Sequence, residues 1–165
     1  MEITYRSIGI YFDVAGNLIG IPMSTAITEK WGEILVSIEP VTELKAGYTD
    51  SELEHFILTV LSKSFAYHPI GFPTGESILQ KFKGAKSWKA CVKEFGYVFI
   101  TWRKDEGYTI TPYWQSRKAK YAFLGFDNKE MRWVTPPGSS FGQLAKGFRA
   151  AMKLSPIGPQ ESPPQ

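Results

Sequence analysis

The sequence predicts an α+β fold, in which helices pack on an antiparallel-rich sheet built from two hairpin-plus-helix halves. The strongest signal is residues 97–114, where β-branched and aromatic residues flank a short polar connection that ends at Gly107. This pattern is typical of an antiparallel hairpin. Residues 25–40 form a fainter hairpin around Trp31, and a capped amphipathic helix follows each of the two hairpins along the chain.

The first half begins with a strand over residues 2–13, where apolar and polar residues alternate. A short strand over 18–22 and the hairpin strands 25–29 and 33–40 follow. A helix then begins after Thr49, which forms a capping box with Glu52. The helix has apolar residues at i, i+3, i+4, i+7 and i+8, the spacing of one buried face. These residues are Leu53, Phe56, Ile57, Val60 and Leu61.

The second half begins with two short helices, predicted over residues 76–82 and 87–95. The strand over 97–102 is apolar on both faces and belongs inside a sheet. Pro112 cannot donate a ladder hydrogen bond, so the next strand should end or lie at an edge near it. A basic loop, two strands over 121–126 and 131–135, and a helix capped by Ser140 and Gln143 complete the half.

An internal similarity supports the two halves. Residues 33–41 resemble 107–113 at an offset of 72, and the two capped helices correspond at an offset of 91, with Ser64 matching Ser155. The difference predicts an insertion of 19 residues in the second half. Residues 1–155 are expected to form one globular domain, and the proline-rich residues 156–165 a disordered tail.

Composition limits the functional classes. A chain of 165 residues with 43% hydrophobic content can bury a substantial core. The single cysteine, Cys91, excludes an intramolecular disulfide and agrees with a reducing compartment. No basic-then-apolar leader and no long apolar run is present, so we expect a cytoplasmic protein without a membrane partner.

No catalytic or metal-binding pattern emerges from the residues. His55 lies in the first helix and His68 precedes a proline, and neither has a local signature of acyl-transfer chemistry. One cysteine and two isolated histidines give no metal-ligand cluster. Residues 71–77 resemble a phosphate-binding loop but lack its Gly-Lys-Ser/Thr ending. The expected protein is therefore not an enzyme and has neither a cofactor nor a metal.

Charge is distributed unevenly along the chain. Residues 1–80 have a net charge of −6, and residues 81–165 have a net charge of +9. The basic half interleaves cations with aromatic residues, a composition found in single-stranded nucleic-acid-binding proteins. This is the alternative functional interpretation, although the aromatic residues also fall at core spacing and no RNP-like or KH-like signature occurs. The residues concerned are Lys81, Lys83, Lys86, Lys89, Lys93, Arg103, Lys104, Arg117, Lys118 and Lys120, with Phe82, Trp88, Trp102 and Trp114.

About two thirds of the chain resembles a bacterial family that includes the immunity proteins of contact-dependent growth inhibition (CDI), called CdiI. The resemblance depends on the helix opening at Ser87-Trp88-Lys89, the strand 107–112, the Phe-Leu-Gly segment 123–125 and the capped helix that ends in Lys153-Leu154-Ser155. The helix over 50–64 also fits. The family's motifs are structural and bring no catalytic residues to this sequence.

The resemblance implies a cytosolic protein that binds a cognate toxin domain and blocks it without chemistry of its own. Nuclease toxins are usually basic, so the acidic first half is the expected toxin-binding surface, since opposite charge speeds association. Nucleic acid is the less expected partner, and the sequence leaves the oligomeric state open. The predicted contact residues are Asp13, Glu29, Trp31, Glu33 and Glu43.

Overall fold

The computed structural model describes residues 2–128 and 131–164. Its strands are β1 (Tyr5–Phe12), β2 (Leu18–Thr28), β3 (Gly32–Ser37), β4 (Thr42–Leu44), β5 (Gly96–Arg103), β6 (Gly107–Ser116), β7 (Ala122–Gly125), β8 (Trp133–Thr135) and β9 (Pro159–Gln160). Its helices are α1 (Asp50–Ser62), α2 (Ile78–Lys83), α3 (Trp88–Val92) and α4 (Gln143–Leu154).

The strands form one curled, largely antiparallel sheet in the order β3-β2-β1-β5-β6-β7. β4 pairs with β2 beyond β3, β8 pairs with β6 beside β7, and β9 pairs with β6 in parallel. This arrangement confirms the predicted α+β class. The two predicted hairpins are also confirmed, because Thr28 pairs with Gly32 and Arg103 pairs with Gly107.

Each face of the sheet has its own core because alternate strand residues point to opposite sides. Ile8 and Ile10 of β1 face α1 and α4, where they meet helix residues such as Ile57 and Phe148. On the other face, Ile19 and Ile21 of β2 pack against α2 and α3. The helices therefore cover both faces, and the β2–β3 hairpin extends beyond them.

The observed strands differ from the predicted ones at several points; β4, for example, was not predicted, and β3 ends at Ser37 and not at Pro40. The expected strands 18–22 and 25–29 are one continuous strand, β2, of eleven residues. β6 does not end at Pro112, since it continues to Ser116, but the other predicted outcome, an edge position, is correct there because among the described residues Pro112 has a strand partner on one side only. Pro112 pairs with Val98 of β5 and lies in the gap between the residues of β6 that pair with β8 and those that pair with β7. Its missing N–H therefore leaves no break in those two pairings.

The sheet repeats itself from its centre outward. β1, β2 and β3 follow one another on one side, and β5, β6 and β7 follow on the other, with β4 and β8 added to the second strand of each side. Corresponding positions are about 90 residues apart, as Pro22 and Pro112 are. The predicted strand offset of 72 and the insertion of 19 residues are therefore wrong, whereas the helix offset of 91 is close.

Two buried serines strengthen this correspondence. Ser64, after α1, accepts a hydrogen bond from the backbone N–H of Ser7 at 2.9 Å and donates to the carbonyl of Met23 at 2.9 Å. Ser155, after α4, accepts from the N–H of Tyr97 at 3.1 Å and donates to the carbonyl of Tyr113 at 2.6 Å. Each serine thus joins the end of a helix to two adjacent strands of its own half.

The two long helices begin in different ways. Thr49 caps α1 as predicted, because its hydroxyl accepts from the N–H of Glu52 at 3.1 Å. The capping box predicted for Ser140 is wrong, since α4 begins after Gly142, which has a positive φ and provides no side chain. The carboxylate of Glu54 on α1 instead accepts from the N–H of Ala145 at 3.1 Å.

The C-terminal segment differs from the predicted disordered tail. Ile157 packs against the main core, and the N–H of Gly158 donates to the carbonyl of Phe95 at 3.2 Å. Pro159 and Gln160 form β9 beside the end of β6. Sheet pairing and one apolar side chain therefore hold a segment whose proline content suggested disorder.

Candidate protein-binding surface

The turn between β2 and β3 presents Trp31 to solvent. The hydroxyl of Thr28 accepts from the N–H of Trp31 and donates to the carbonyl of Gly32, each at 2.9 Å. Gly32 adopts a φ of +66°, a conformation that glycine takes without steric cost. These bonds fix the turn, and Trp31, at the tip of the turn, is 57% exposed.

A loop after α1 lies beside this turn. The N–H of Gly71 donates to the carbonyl of Ile27 at 3.0 Å, and Ile27 and Ile70 form a parallel bridge. The ring of Phe72 meets the ring of Trp31 edge-on, with 5.7 Å between their centroids. Two segments distant in sequence therefore join to form one surface.

That surface, here called the hairpin patch, consists of five apolar side chains that point outward: Ile27, Trp31, Leu35, Ile70 and Phe72. Ile70 is 97% exposed, Ile27 62% and Phe72 60%. Single exposed apolar residues are ordinary, but a contiguous group with two aromatic rings is typical of an interaction surface.

A cleft of about 620 Å³ lies next to the hairpin patch. Tyr11, Ile21 and Met23 of the sheet line it, together with Ile34 of β3 and the segment from Pro69 to Leu79. Its lining is mainly apolar, and Glu76 is among its lining residues. A partner seated on the hairpin patch has a concave, apolar recess beside it.

The structure divides the predicted contact residues into two groups. Glu29, Trp31 and Glu33 lie together at the β2–β3 turn, where both carboxylates are exposed beside the hairpin patch. Asp13 and Glu43 lie at the opposite end of β2. Glu33 pairs with Ile27 and Glu43 with Ile19, eight residues away on the same strand. At the rise of an extended strand, the two groups are about 26 Å apart.

Asp13 and Glu43 also differ in role. Asp13 is engaged in the β1–β2 turn, where its carboxylate accepts from the backbone N–H of Asn17 at 3.0 Å and from the side-chain amide at 3.1 Å. Glu43 is exposed, lies 4.0 Å from the ammonium of Lys45, and lines a shallow depression with the exposed His55. The structure does not bring these two residues to the hairpin patch.

Sequence reasoning missed the other members of the hairpin patch. Ile70 and Phe72 belong to a Pro/Gly-rich connection, where an apolar side chain has no periodic pattern that indicates burial. The one available signal was a phenylalanine in a segment with no predicted helix or strand. Its position against Trp31 depends on the bridge between Ile27 and Ile70, which no local pattern predicts.

The four aromatic residues predicted to stack bases, Phe82, Trp88, Trp102 and Trp114, do not form a stacking surface. Trp114 is 6% exposed and lies in the sheet, and Trp102 packs against the main core. Trp88 donates its indole N–H to the carbonyl of Tyr121 at 3.2 Å. Phe82 alone of the four predicted aromatic residues is substantially exposed. Base stacking on this half therefore finds little support in the packing.

The titratable groups in the described part of the chain make few polar contacts of the kind that catalysis requires. The Nδ1 atom of His68 lies 3.2 Å from the hydroxyls of Ser24 and Thr25, and no described carboxylate bonds to its ring. Burial raises the pKa values of Tyr11 and Tyr97 well above the ordinary tyrosine value, so both phenols stay neutral even in mildly alkaline solution. Burial likewise raises the pKa of the Cys91 thiol, which lowers the population of the reactive thiolate.

Within residues 2–128 and 131–164, no three His, Cys, Asp or Glu side chains come close enough to hold a metal ion. None of the helices in that part of the chain combines the length and apolar character needed to cross a bilayer.

Comparison with known proteins gives a likeness of fold. No protein-family model matches the chain, and no curated protein matches it in sequence. A Neisseria meningitidis protein of unknown function, NMB0488, has a similar structure with a TM-score of 0.64 and 15% identity, over 93% of this chain and 98% of the other. A chain of the CdiA-CT/CdiI toxin and immunity complex from Yersinia pseudotuberculosis gives a TM-score of 0.63 and 16% identity, over 92% and 97%. At these identities the likeness establishes a common architecture across nearly the whole chain.

Proposed function

We propose that this protein is an immunity protein of the CDI type, which binds and neutralises a cognate toxin domain in the bacterial cytosol. It acts as a stoichiometric inhibitor and performs no reaction. The fold that it shares with a chain of a toxin and immunity complex supports the proposal. The observation that carries it is the hairpin patch, an apolar surface of two joined segments with an adjacent cleft.

The hairpin patch has the composition of a binding hot spot. Such spots are centred on aromatic residues that become fully buried in the complex, with a polar rim that excludes water. Trp31 and Phe72 support each other through their edge-on contact, so little side-chain freedom remains to be lost when a partner binds. The cleft beside them accepts one or more apolar side chains of the toxin.

The charges around the hairpin patch favour a basic partner. Glu29 and Glu33 are exposed at the turn and Glu76 lies at the cleft, together with the cation Lys30, whose ammonium is 5.1 Å from the Trp31 ring. Opposite charges at the rim raise the association rate and discriminate against acidic proteins. A toxin domain that binds nucleic acid is basic and meets this requirement.

Co-expression provides the first test. The polypeptide encoded immediately upstream is produced with this protein in cells, and the toxin's growth inhibition and the co-purification of the two chains are measured. We expect both protection and a stable one-to-one complex. Failure of the two chains to co-purify, or failure to protect, contradicts the proposal.

Paired substitutions then locate the surface. Trp31→Ala and Phe72→Ala together should weaken the complex by about 2 kcal/mol or more, which is roughly a 30-fold rise in Kd measured by calorimetry. Phe141→Ala is the matched control, since Phe141 is 74% exposed but lies just before α4, outside the hairpin patch. Equal effects of the double variant and the control would show that the toxin binds elsewhere.

A further inference from the structure

A second charged surface is formed by α2, α3 and the turn between β6 and β7. Five lysines project from α2, α3 and the residues that adjoin them, and all five are exposed: Lys81, Lys83, Lys86, Lys89 and Lys93. The turn between β6 and β7 adds the exposed Arg117, Lys118 and Lys120. We refer to these eight residues as the basic surface.

The two segments of the basic surface are held together. The indole of Trp88 donates to the carbonyl of Tyr121, and this pins the β6–β7 turn to α3. The ammonium of Lys89 lies 5.0 Å from the Tyr121 ring, and that of Lys83 lies 5.7 Å from the Phe95 ring. These aromatic contacts orient the cations without neutralising them.

Few acids oppose these cations. Among the described residues, Arg117 has an ion-pair partner, Glu161, at 2.8 Å, and the seven lysines have none within 4 Å. The nearby acids are Glu94, next to Lys93 along the chain, and Glu39, which lines a depression together with Lys81. The unpaired ammonium groups of α2, α3 and the β6–β7 turn nevertheless outnumber these acids, and they produce a positive potential that attracts a polyanion.

The repeat shows how this surface differs from the hairpin patch. The β6–β7 turn stands where the β2–β3 turn stands in the first half, and Tyr121 follows Trp31 by 90 positions. Trp31 is exposed beside acids, whereas Tyr121 is half-buried beside lysines. The two equivalent turns are therefore suited to partners of opposite charge and different chemistry.

We propose that the basic surface binds the phosphate backbone of double-stranded nucleic acid without reading its sequence. Lysine ammonium groups are point charges that suit phosphates, and no exposed aromatic residue other than Phe82 accompanies them in α2, α3 or the turn. Single-stranded binders stack bases on exposed rings, and this surface does not provide such rings. Binding is expected to be strongly salt-dependent, because each phosphate contact releases a counterion.

The test is fluorescence anisotropy with the full chain and a labelled 20-base-pair duplex from about 50 to 200 mM NaCl. With about five phosphate contacts, log K should fall with log[NaCl] with a slope of about −4.5, and the affinity should fall by roughly 500-fold over this range. Two duplexes of unrelated sequence should bind alike. Absence of binding at 50 mM NaCl, or tighter binding of a single strand of the same length, would overturn the proposal.

Charge reversal assigns the surface. Lys86→Glu, Lys89→Glu and Lys93→Glu together should reduce the affinity at least about tenfold at 50 mM NaCl and make the salt slope less steep by about 2 to 3. The control reverses Lys30, Lys45 and Lys153 to Glu, which changes the net charge equally at exposed positions elsewhere. Circular dichroism confirms that both triple variants are folded.

Two results would overturn the assignment. If both triple variants lose affinity equally, net charge and not the basic surface controls binding. If poly-glutamate displaces the duplex at an equal concentration of charge, the surface selects acidic polymers in general and phosphates have no advantage. Displacement by an unlabelled duplex but not by poly-glutamate supports the proposal.

Discussion

Removing the carboxylate of Glu54 is expected to destabilise the start of α4. Glu54 lies on α1, is 7% exposed, and accepts a hydrogen bond from the N–H of Ala145 at 3.1 Å. The first turn of any helix leaves N–H groups without partners inside the helix. Because Gly142 provides no capping side chain, the carboxylate of Glu54 performs that role from another helix, 91 positions away.

The expected loss of stability follows from the hydrogen bond and the charge that the substitution removes. A buried hydrogen bond to a charged group contributes about 1.5–3 kcal/mol, and a negative charge at a helix N-terminus adds about 0.3–1 kcal/mol. Glu54→Ala removes both and leaves the N–H of Ala145 buried, so we expect a loss of about 3 kcal/mol. Glu54→Gln keeps an acceptor oxygen and should lose only about 1 kcal/mol. For a chain of this length, the melting temperature should fall by about 6–12 °C for alanine and about 2–4 °C for glutamine.

Two measurements check this. Urea unfolding followed by circular dichroism gives the free energies of unfolding, and hydrogen exchange reports the protection of the Ala145 amide. Glu33→Gln is the control, since Glu33 is an exposed carboxylate on β3, away from both long helices. The control should change stability by about 0.5 kcal/mol at most.

If the alanine and glutamine variants unfold at the same urea concentration, the carboxylate of Glu54 does not act as a cap. If exchange at Ala145 is unchanged while the whole protein is destabilised, the effect of Glu54 comes from packing between α1 and α4 and not from capping.

Three further predictions follow from buried contacts. A Cβ at Gly147 would overlap the Trp133 indole. Gly147→Ala should therefore destabilise the protein by about 1 kcal/mol and shift tryptophan fluorescence to longer wavelength. Gly125→Ala is the control, because a Cβ at Gly125 meets open space and should have neither effect. Ser155→Ala leaves the N–H of Tyr97 without its partner and should cost about 1–3 kcal/mol in urea unfolding; no change would contradict this role. Burial raises the pKa of Tyr97 above its unfolded-state value of about 10, so the contribution of this phenol to stability is complete below pH ~10. As the pH rises further, the free energy of unfolding falls by at most about 1.4 kcal/mol per pH unit. Tyr97→Phe should therefore make the urea midpoint less sensitive to pH between 9 and 11, and an unchanged pH dependence would refute this.

Local elements could be predicted because their signals are local. Thr49 caps α1 and the apolar spacing from Leu53 to Leu61 gives its buried face, so a single stretch of sequence contains both signals. The start of α4 could not be predicted in this way. Ser140 has the sequence of a cap, but the acceptor is Glu54, and only the packed structure brings these residues together.

The internal repeat was detected in the helices and misaligned in the strands. The segment around Pro40 resembles the segment around Pro112, yet the structural counterpart of Pro112 is Pro22 in β2. A short pattern of isoleucine, polar residue and proline occurs on several strands because strand composition is restricted. Helix capping and apolar helical spacing extend over more residues, so they aligned the two long helices at the offset of 91 that the equivalent serines Ser64 and Ser155 confirm.

Part of the candidate site could be predicted because its signal, too, is local. Trp31 stands out between two strand patterns, and the structure places it with Glu29 and Glu33. Asp13 and Glu43 were grouped with them by charge, but the length of β2 separates them by about 26 Å. Charge counted along the chain does not reveal which acids share a surface.

In the two halves, the small residues at the helix–sheet interface lie on opposite elements, on the strand in the first half and on the helix in the second. In the first half, Gly20 of β2 lies beneath Phe56 and Val60 of α1, and a Cβ at Gly20 would lie 2.6 Å from a methyl group of Val60. At the corresponding positions of the second half, β6 has Ile110 and α4 has the small residues Gly147 and Ala151. In the second half, therefore, the large Ile110 lies in the same core as the small Ala151, and the Trp133 indole of β8 fills the space beside Gly147. In the first half the glycine is on the strand and the large residues are on the helix, so both helix–sheet interfaces are filled.

This exchange predicts how the halves respond to mutation. Gly20→Ile alone should be severely destabilising, by about 3 kcal/mol or more, because the helix above it has no space. Combining it with Val60→Ala, the residue type found at position 151, should recover part of that loss. Urea unfolding of the single variants and the double variant gives the coupling energy directly. Strictly additive losses would show that the two interfaces are not equivalent and that the correspondence at 90 residues describes strand order alone.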